Sequence, residues 1–240
     1  MWPAVDQWSG VDTKEGLRIM TSAADVGRSL EELARAATTL GVRWALIGGQ
    51  ALIAHGVPRD TLDADALVEP ALLGELSSAL VEQQAWVPLV YDPGSGDYLA
   101  ASGPTVHYMD DPVLFDLHAE RAMVPLRSGT GLLVELLASQ HPIEQAMVDE
   151  AALRRHFGAQ VPLAPLGGIL LVKTKADRTK DIAALEQAAE HLSAAVLDGA
   201  VAWAKRHDPA SADDLRAILG AARARRAPVR TEAYTRPKPK

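Results

Sequence analysis

Apolar and polar positions follow helical and strand-like patterns in turn along the first third of the chain. Over residues 22–40, apolar side chains recur at steps of three and four, and Gly41 stands where a helix would end. Residues 63–68 instead alternate carboxylates with apolar side chains, which predicts a strand with one acidic face. The pattern predicts, in order, a helix, a strand, a glycine turn with a short helix, the acidic strand and an amphipathic helix, at residues 22–40, 44–47, 48–55, 63–68 and 70–84.

Short apolar runs separated by turn residues fill the middle of the chain. They predict the strands of a mainly antiparallel or mixed sheet, at residues 86–91, 98–101, 106–109, 113–117, 122–126 and 132–137. From residue 143 to about residue 226, Ala, Leu, Glu and Arg at helical spacing predict helices, with breaks near residues 162–165 and 208–209. The predicted class is α+β, with a mixed sheet and flanking helices followed by a helical C-terminal region. The predicted domains are residues 1–140, residues 141–226 and a basic tail at 227–240.

The composition excludes several kinds of site. The 240 residues, of which 48% are hydrophobic, can bury an ample core. No cysteine is present, so disulfides, thiolate nucleophiles and cysteine-rich zinc sites are excluded. Residues 1–21 lack the apolar core of a signal peptide, and no apolar run approaches the ~18 residues that a membrane span needs. We therefore expect a cytoplasmic protein that does not bind a membrane.

Charge is distributed unevenly along the chain. The net charge of -7 argues against a broad positive surface for duplex DNA. Residues 221–240 are nevertheless strongly basic, with Glu232 as their single acidic residue. This segment is either a solvated tail, as terminal charge runs usually are, or an arm that contacts RNA phosphates. Its basic residues are Arg223, Arg225, Arg226, Arg230, Arg236, Lys238 and Lys240.

Two glycines and two carboxylates mark the most informative stretch. Gly48 and Gly49 follow a short predicted strand, where glycines let the backbone approach a ligand and a helix start can accept a phosphate. Asp63 and Asp65 are two apart on a predicted strand, so both face one side while Ala64 faces the core. Such a carboxylate pair suits Mg²⁺. Taken alone, a glycine pair is usually a turn, and an Asp-x-Asp pair is usually a solvated strand face.

With Arg59 and Thr61 included, residues 48–65 resemble the nucleotidyltransferase superfamily pattern G-G-x-A-x(7)-R-x-T-x-D-x-D. The stretch is similar to the bacterial branch that contains AbiEii and MenT toxins and small antibiotic-modifying enzymes. The resemblance implies the fold of DNA polymerase beta-like enzymes, with the sheet domain in residues 1–140. It also implies nucleotide contacts at Gly48, Gly49, Arg59 and Thr61, and metal ligands at Asp63 and Asp65.

A later stretch supports the same resemblance. In residues 170–181, a Lys after an apolar run is followed five residues on by Arg and then by Lys-Asp, as in the family's later segment. The matching, nucleotide-binding positions are Lys173, Arg178, Lys180 and Asp181. Clustered cations at a helix end can clamp a triphosphate, although the same residues alone are ordinary for a charged helix face.

The third carboxylate of the family site has two candidates. Asp116 alternates with apolar residues on the predicted strand 113–117. Glu135 lies in a segment that resembles the one carrying the family's third Asp, and its distance along the chain to Lys173 agrees. This register favours Glu135 as a catalytic residue and metal ligand. A Glu extends the ligand by one methylene and would shift the metal or the attacking hydroxyl, so both candidates stay open.

The resemblance implies an enzyme that transfers NMP from an NTP, such as ATP, to a hydroxyl acceptor and releases pyrophosphate. Two Mg²⁺ ions, with Mn²⁺ as an alternative, would serve it. The favoured acceptor is a tRNA 3′ end or a protein, as in a toxin that has a cognate antitoxin. One alternative is a small-molecule enzyme that modifies an antibiotic. Another is a non-catalytic relative that binds a nucleotide or a partner protein.

Overall fold

Eight α-helices and nine strands follow one another in residues 22–92, 94–110 and 120–226, the part of the chain that the computed structural model describes. The helices are α1 (Ala23–Leu40), α2 (Gly48–Ala54), α3 (Leu73–Gln84), α4 (Pro142–Asp149), α5 (Leu166–Ala176), α6 (Thr179–His191), α7 (Ala194–His207) and α8 (Pro209–Arg226). The strands are β1 (Trp44–Ile47), β2 (Asp63–Val68), β3 (Val87–Asp92), β4 (Asp97–Ala100), β5 (His107–Asp110), β6 (Glu120–Arg127), β7 (Leu133–Ala138), β8 (Ala152–His156) and β9 (Ala159–Leu163).

The strands form one mixed sheet in the order β4-β3-β6-β7-β2-β1-β9-β8, and β5 pairs with a further part of β6. Strands β2 and β7 are parallel, as are β1 and β9, whereas the other pairs are antiparallel. Strand β2 therefore lies at the centre, between β7 and β1. Its buried residues, such as Ala64 and Ala66, join a continuous core with residues of the helices, such as Leu30 and Leu170.

The predicted fold class is confirmed, because a mixed sheet with flanking helices precedes four C-terminal helices. The helical prediction is wrong for residues 152–163, which form the β8–β9 hairpin. Phe157 and Gly158 both have positive φ, 47° and 93°, as a two-residue hairpin turn requires. The Ala- and Arg-rich composition favours a helix, but pairing of β9 with β1 overrides that local preference.

Some predictions concern other parts of the chain. The predicted strand at 113–117, the segment 1–21 and the basic tail at 227–240 lie outside the described residues. The division of the chain at residue 140 stays a prediction. Within the residues that are described, no helix combines the length and the apolar character needed to cross a membrane.

Two glycines allow helix α5 to pack closely on its neighbours. A Cβ at Gly167 would lie 2.6 Å from Cβ of Trp203 and would overlap the carbonyl oxygen of Ala200, both on α7. A Cβ at Gly168 would overlap the side chain of Met147 on α4. Helix α5 therefore packs closely against the backbone of α7 and against a side chain of α4. Lys173 of the predicted site lies in the last turn of this helix.

We expect Gly167→Ala to lower the free energy of unfolding by roughly 1–3 kcal/mol, because the added methyl group has no space against α7. Gly199→Ala is the matched control, since Gly199 is exposed on α7 and no atom of another element lies within 4 Å of the place that a Cβ would take. That control should raise the free energy of unfolding by up to about 1 kcal/mol through helix propensity. Urea denaturation measures both, and equal effects would contradict the close packing of α5 on α7.

Candidate functional site

Three carboxylates share one face of the sheet at its centre. Asp63 and Asp65 alternate with buried Ala64 on β2, and Asp65 lies directly opposite Glu135 in the parallel pairing of β2 with β7. All three acidic residues are partly exposed. The structure therefore brings Glu135 to the predicted pair, whereas the rival candidate Asp116 lies outside the described residues.

The glycine pair accommodates side chains of the same motif. Gly48 has a φ of 67°, and a Cβ on it would overlap Oδ2 of Asp65. A Cβ on Gly49 would lie 2.6 Å from Oγ1 of Thr61. Each glycine thus leaves space for one later residue of the motif, and the backbone of the turn lies against the carboxylate face.

Thr61 also orients the first carboxylate. Its hydroxyl donates to Oδ1 of Asp63 at 2.5 Å, and the same side chain packs on Gly49. Strand β1 reaches the glycine turn directly after Ile47, which pairs with Asp65. The turn, the threonine and both Asp residues therefore form one continuous unit.

Negative charge accumulates at this unit. Although Asp65 as a whole residue is partly exposed, its carboxyl group lies against Gly48 and is withdrawn from solvent. This withdrawal is the main cause that raises the pKa of Asp65 to about 8, followed by the charges of Asp63 and Glu135. The positive charge of Lys173 lowers the pKa of Asp65, but its effect is smaller than each of the effects that raise it. The carboxyl groups repel one another more than this lysine compensates, so a divalent cation between them would relieve the repulsion.

The donor set fits a divalent cation that also binds substrate oxygens. Mg²⁺ in nucleotide enzymes is commonly held by one or two carboxylates, with phosphates and water completing its coordination. Asp63 and Asp65 supply such a pair. Across residues 22–92, 94–110 and 120–226, no group of three or more His, Asp or Glu side chains is arranged to hold a metal by itself. The third predicted ligand, Glu135, is instead hydrogen-bonded to a tyrosine.

Three of the later motif residues form an ion-pair cluster where α5 meets α6. Lys173 Nζ lies 2.8 Å from one carboxylate oxygen of Asp181, and Arg178 Nε donates to the other at 2.6 Å. The Asp181 side chain is 1% exposed. Burial alone would raise the pKa of Asp181, but the hydrogen bonds from Arg178 and Lys173 hold it below its usual value. Asp181 thus fixes the two cations rather than facing solvent itself.

Arg59 and Lys180 lie near this cluster. The partly buried Arg59 donates to Oε1 of Gln187 at 3.5 Å and to the carbonyl oxygen of Lys180 at 3.4 Å. Lys180 itself is exposed. Arg59 therefore ties the loop before β2 to helix α6, and all four cations predicted for the nucleotide lie on or against the start of α6 or the end of α5.

Tyr98 is a site residue that sequence reasoning missed. Its hydroxyl donates to Oε1 of Glu135 at 2.6 Å, and burial together with Glu135 raises the pKa of Tyr98 well above its usual range. The contact arises because β3 pairs with β6 only at Val87 and Pro88, so the β3–β4 hairpin is free to diverge toward the site. A tyrosine in a short apolar run gives no signal of this contact.

Two histidines beside the glycine turn have structural partners. His55 Nε2 lies 2.9 Å from the carbonyl oxygen of Ala164, and burial lowers the pKa of His55. His156 Nε2 lies 3.0 Å from Oε1 of the buried Gln50 in helix α2. These contacts attach the turn to the β8–β9 hairpin and to the loop after it.

The sequence matches no protein-family model, and a search of curated proteins finds no match. The structure is similar to that of the antibiotic-resistance factor ANT(2″)-Ia, with 16% identity over 85% of this chain and 94% of that one and a TM-score of 0.48. An antigenic nucleotidyltransferase-like protein from Paracoccidioides brasiliensis has 17% identity over 80% and 92%, with a TM-score of 0.40. A tRNA-processing enzyme has 15% identity over 84% and 57%, with a TM-score of 0.32. At these values the likeness is limited to the general course of the chain.

We expect Gly48→Ala to lower the free energy of unfolding more than Gly41→Ala does. Both glycines have a φ of 67°, so each substitution carries a backbone cost of about 1–2 kcal/mol, but only the methyl group at Gly48 meets another side chain. Removing that side chain with Asp65→Ala should recover part of the loss in the Gly48→Ala protein. Urea denaturation in EDTA of the single and double variants measures the coupling, and strict additivity would contradict the contact.

Proposed function

We propose that this protein transfers NMP from an NTP to a hydroxyl acceptor and releases pyrophosphate, with Mg²⁺ as its cofactor and Mn²⁺ as a substitute. The observation that carries the proposal is the packing of Asp65 on Gly48 and of Thr61 on Gly49. This packing joins a close-approach backbone turn to a carboxylate pair, and a charged pair at such a turn has no structural use of its own. The ion-pair cluster at Lys173 supplies the cations that a triphosphate needs.

The triphosphate would lie between the glycine turn and the cations of α5 and α6. The charge of Lys173 lowers the pKa of Asp65, so it acts on the carboxylates as well as on Asp181, with which it forms an ion pair. Arg178 is 57% exposed while its Nε is held by Asp181, which leaves other guanidinium nitrogens available for a phosphate. Because Asp181 fixes both cations in advance, nucleotide binding need not order them.

Asp63 and Asp65 would hold the divalent cations, with phosphate oxygens and water as the other ligands. When bound, these cations neutralise charge that develops on the phosphate oxygens. Thr61 keeps the Asp63 carboxylate oriented through its hydrogen bond.

Glu135 would take the proton from the acceptor hydroxyl, because it lies beside Asp65 on the adjacent strand. The hydroxyl oxygen then forms a bond to the α-phosphorus, and the bond from that phosphorus to the oxygen bridging to the β-phosphate breaks. Pyrophosphate leaves with the electron pair, and the proton on Glu135 passes to solvent. Positioning and charge stabilisation account for the acceleration, without a covalent enzyme intermediate.

The proposal also concerns the chemical class of the acceptor. A tRNA 3′ end or a protein, in a toxin with a cognate antitoxin, and a small-molecule hydroxyl are the candidates that the motif resemblance brings. Nucleotide binding without transfer is the alternative to catalysis. Incubating the protein with each α-labelled NTP and Mg²⁺, in the presence of total RNA, cell protein or small hydroxyl compounds, separates these outcomes by where the label appears.

We expect Asp63→Asn and Asp65→Asn each to reduce NMP transfer at least about a hundred-fold, because each removes a charge aimed at the reacting phosphate. Asp198→Asn is the control, since Asp198 is exposed on α7 and outside the site. Circular dichroism checks that all three variants are folded. Undiminished transfer by the Asp63→Asn/Asp65→Asn double variant would refute the mechanism.

Divalent cations should raise the melting temperature of the metal-free protein, because a bound cation offsets both the withdrawal of the Asp65 carboxyl group from solvent and its repulsion by Asp63 and Glu135. Asp65→Asn should itself raise the melting temperature in EDTA at neutral pH and should remove most of the response to MgCl₂ or MnCl₂. Differential scanning fluorimetry measures both effects, with Asp198→Asn again as control. A response of the Asp65→Asn protein equal to that of the original protein would place the cation elsewhere.

A further inference from the structure

Two tyrosines border the carboxylates on the side of strand β7. Tyr91 and Tyr98 lie directly opposite each other in the β3–β4 hairpin, and their rings meet edge to face with centroids 5.6 Å apart. Tyr98 donates to Glu135, whereas Lys173 acts on Asp65 of the neighbouring strand. The site therefore has a cationic flank at α5 and α6 and an aromatic flank at the hairpin.

The aromatic flank is open to a ligand. Tyr91 is 45% exposed, although an aromatic side chain at a strand pair is usually covered by a neighbouring element. Its contact with Tyr98 fixes the orientation of both rings, and the Tyr98 hydroxyl is in turn fixed by Glu135. A ligand on the Tyr91 ring would thus meet a rigid surface that leads to the proposed proton acceptor.

Charge around the hairpin restricts what that ligand can be. The sequence from residue 87 to residue 100 contains two acidic residues, Asp92 and Asp97, and neither Lys nor Arg. These two oppose each other at the end of the hairpin, and Glu135 lies at the other limit of the aromatic pair. The carboxylates of the hairpin therefore disfavour a polyanion such as RNA and favour a neutral or cationic compound.

We propose that Tyr91 and Tyr98 form the acceptor subsite, and that the acceptor is a small neutral or cationic hydroxyl compound with a ring that stacks on Tyr91. The proposal rests on the transferase function above, since it assigns the side from which the hydroxyl reaches Glu135. Aromatic rings bind the apolar faces of sugar-like rings and attract cationic groups. The carboxylates of the hairpin add to the attraction for a protonated amine.

Tyr98 has a second part in this subsite as a positioning residue. Its hydroxyl donates to Oε1 of Glu135 at 2.6 Å and so holds the carboxylate that would accept the proton of the acceptor hydroxyl. Removing only the Tyr98 hydroxyl should leave the stacking surface intact and disturb the orientation of Glu135. Removal of the Tyr98 hydroxyl is therefore expected to lower kcat. Removal of the Tyr91 ring is expected to raise the KM of the acceptor.

The test compares four probes of different charge: methyl 2-amino-2-deoxy-glucoside, methyl glucoside, glucose 6-phosphate and a short RNA with a free 3′ hydroxyl. Saturation-transfer NMR measures binding in the presence of Mg²⁺ and a non-cleavable ATP analogue, and α-labelled ATP measures transfer. The variants are Tyr91→Ala and Tyr98→Phe. Tyr108→Ala is the matched control, because Tyr108 on β5 is 64% exposed and lies outside the pair.

We expect the amino sugar to bind most tightly, and Tyr91→Ala to weaken its binding about ten-fold while Tyr108→Ala leaves it unchanged. Tyr98→Phe should keep that binding and lower kcat about ten-fold. Equal binding by the original protein and Tyr91→Ala would overturn the subsite, as would preferential binding or labelling of the RNA, or binding of none of the sugars.

The thermal shift caused by Mg²⁺ and the ATP analogue distinguishes a failure of the acceptor subsite from a failure of the proposed transferase function. An intact shift in Tyr91→Ala together with unchanged sugar binding refutes only the acceptor assignment. A missing shift in the original protein refutes the proposed function and the acceptor subsite with it.

Discussion

The contact between the glycine turn and strand β2 determines where every other part of the site lies. Asp65 occupies the space that a side chain at Gly48 would need, and Thr61 does the same at Gly49. Because Thr61 also holds Asp63, the turn sets the orientation of both Asp carboxylates. The spacing from Thr61 to Asp65 is thus a packing requirement, since an insertion between these residues would move Thr61 or Asp65 away from the glycine that it contacts.

Two carboxylates of the site differ in how their charge is compensated. At Asp181, a buried carboxylate receives two cationic donors and its pKa stays low, so this charge is compensated within the fold. At Asp65, withdrawal from solvent and then the neighbouring carboxylates outweigh the single lysine, and the pKa rises to about 8. Folding therefore compensates the charge of Asp181 within the protein, whereas the carboxylates around Asp65 have too little positive charge beside them. Such concentration of unfavourable charge at one place is typical of functional sites.

The sequence predicts what depends on residues close together in the chain. The glycine turn and the strand that carries Asp63 and Asp65 follow from local patterns, and the structure contains both. The later segment predicted clustered cations at a helix end, and Lys173 and Arg178 indeed meet there at Asp181. Register favours Glu135, and its position opposite Asp65 agrees with that choice, although its role is untested. The β8–β9 hairpin and the contact of Tyr98 with Glu135 depend on which distant strands pair. The composition of residues 152–163 favours a helix, and the short apolar run around Tyr98 carries no sign of its partner, so the sequence could not predict either feature.

The β3–β4 hairpin pairs with the rest of the sheet over a short distance, so sequence changes in the hairpin differ in effect from changes in β2 and β7. Only Val87 and Pro88 of β3 pair with β6, whereas β7 pairs with β2 along its whole length. Substitutions, or a change of hairpin length, can therefore accumulate beyond Pro88 without altering the register that aligns Glu135 with Asp65. Selection can then reshape the edge of the site while the carboxylate frame stays constant, which makes the hairpin the segment where related chains should diverge first.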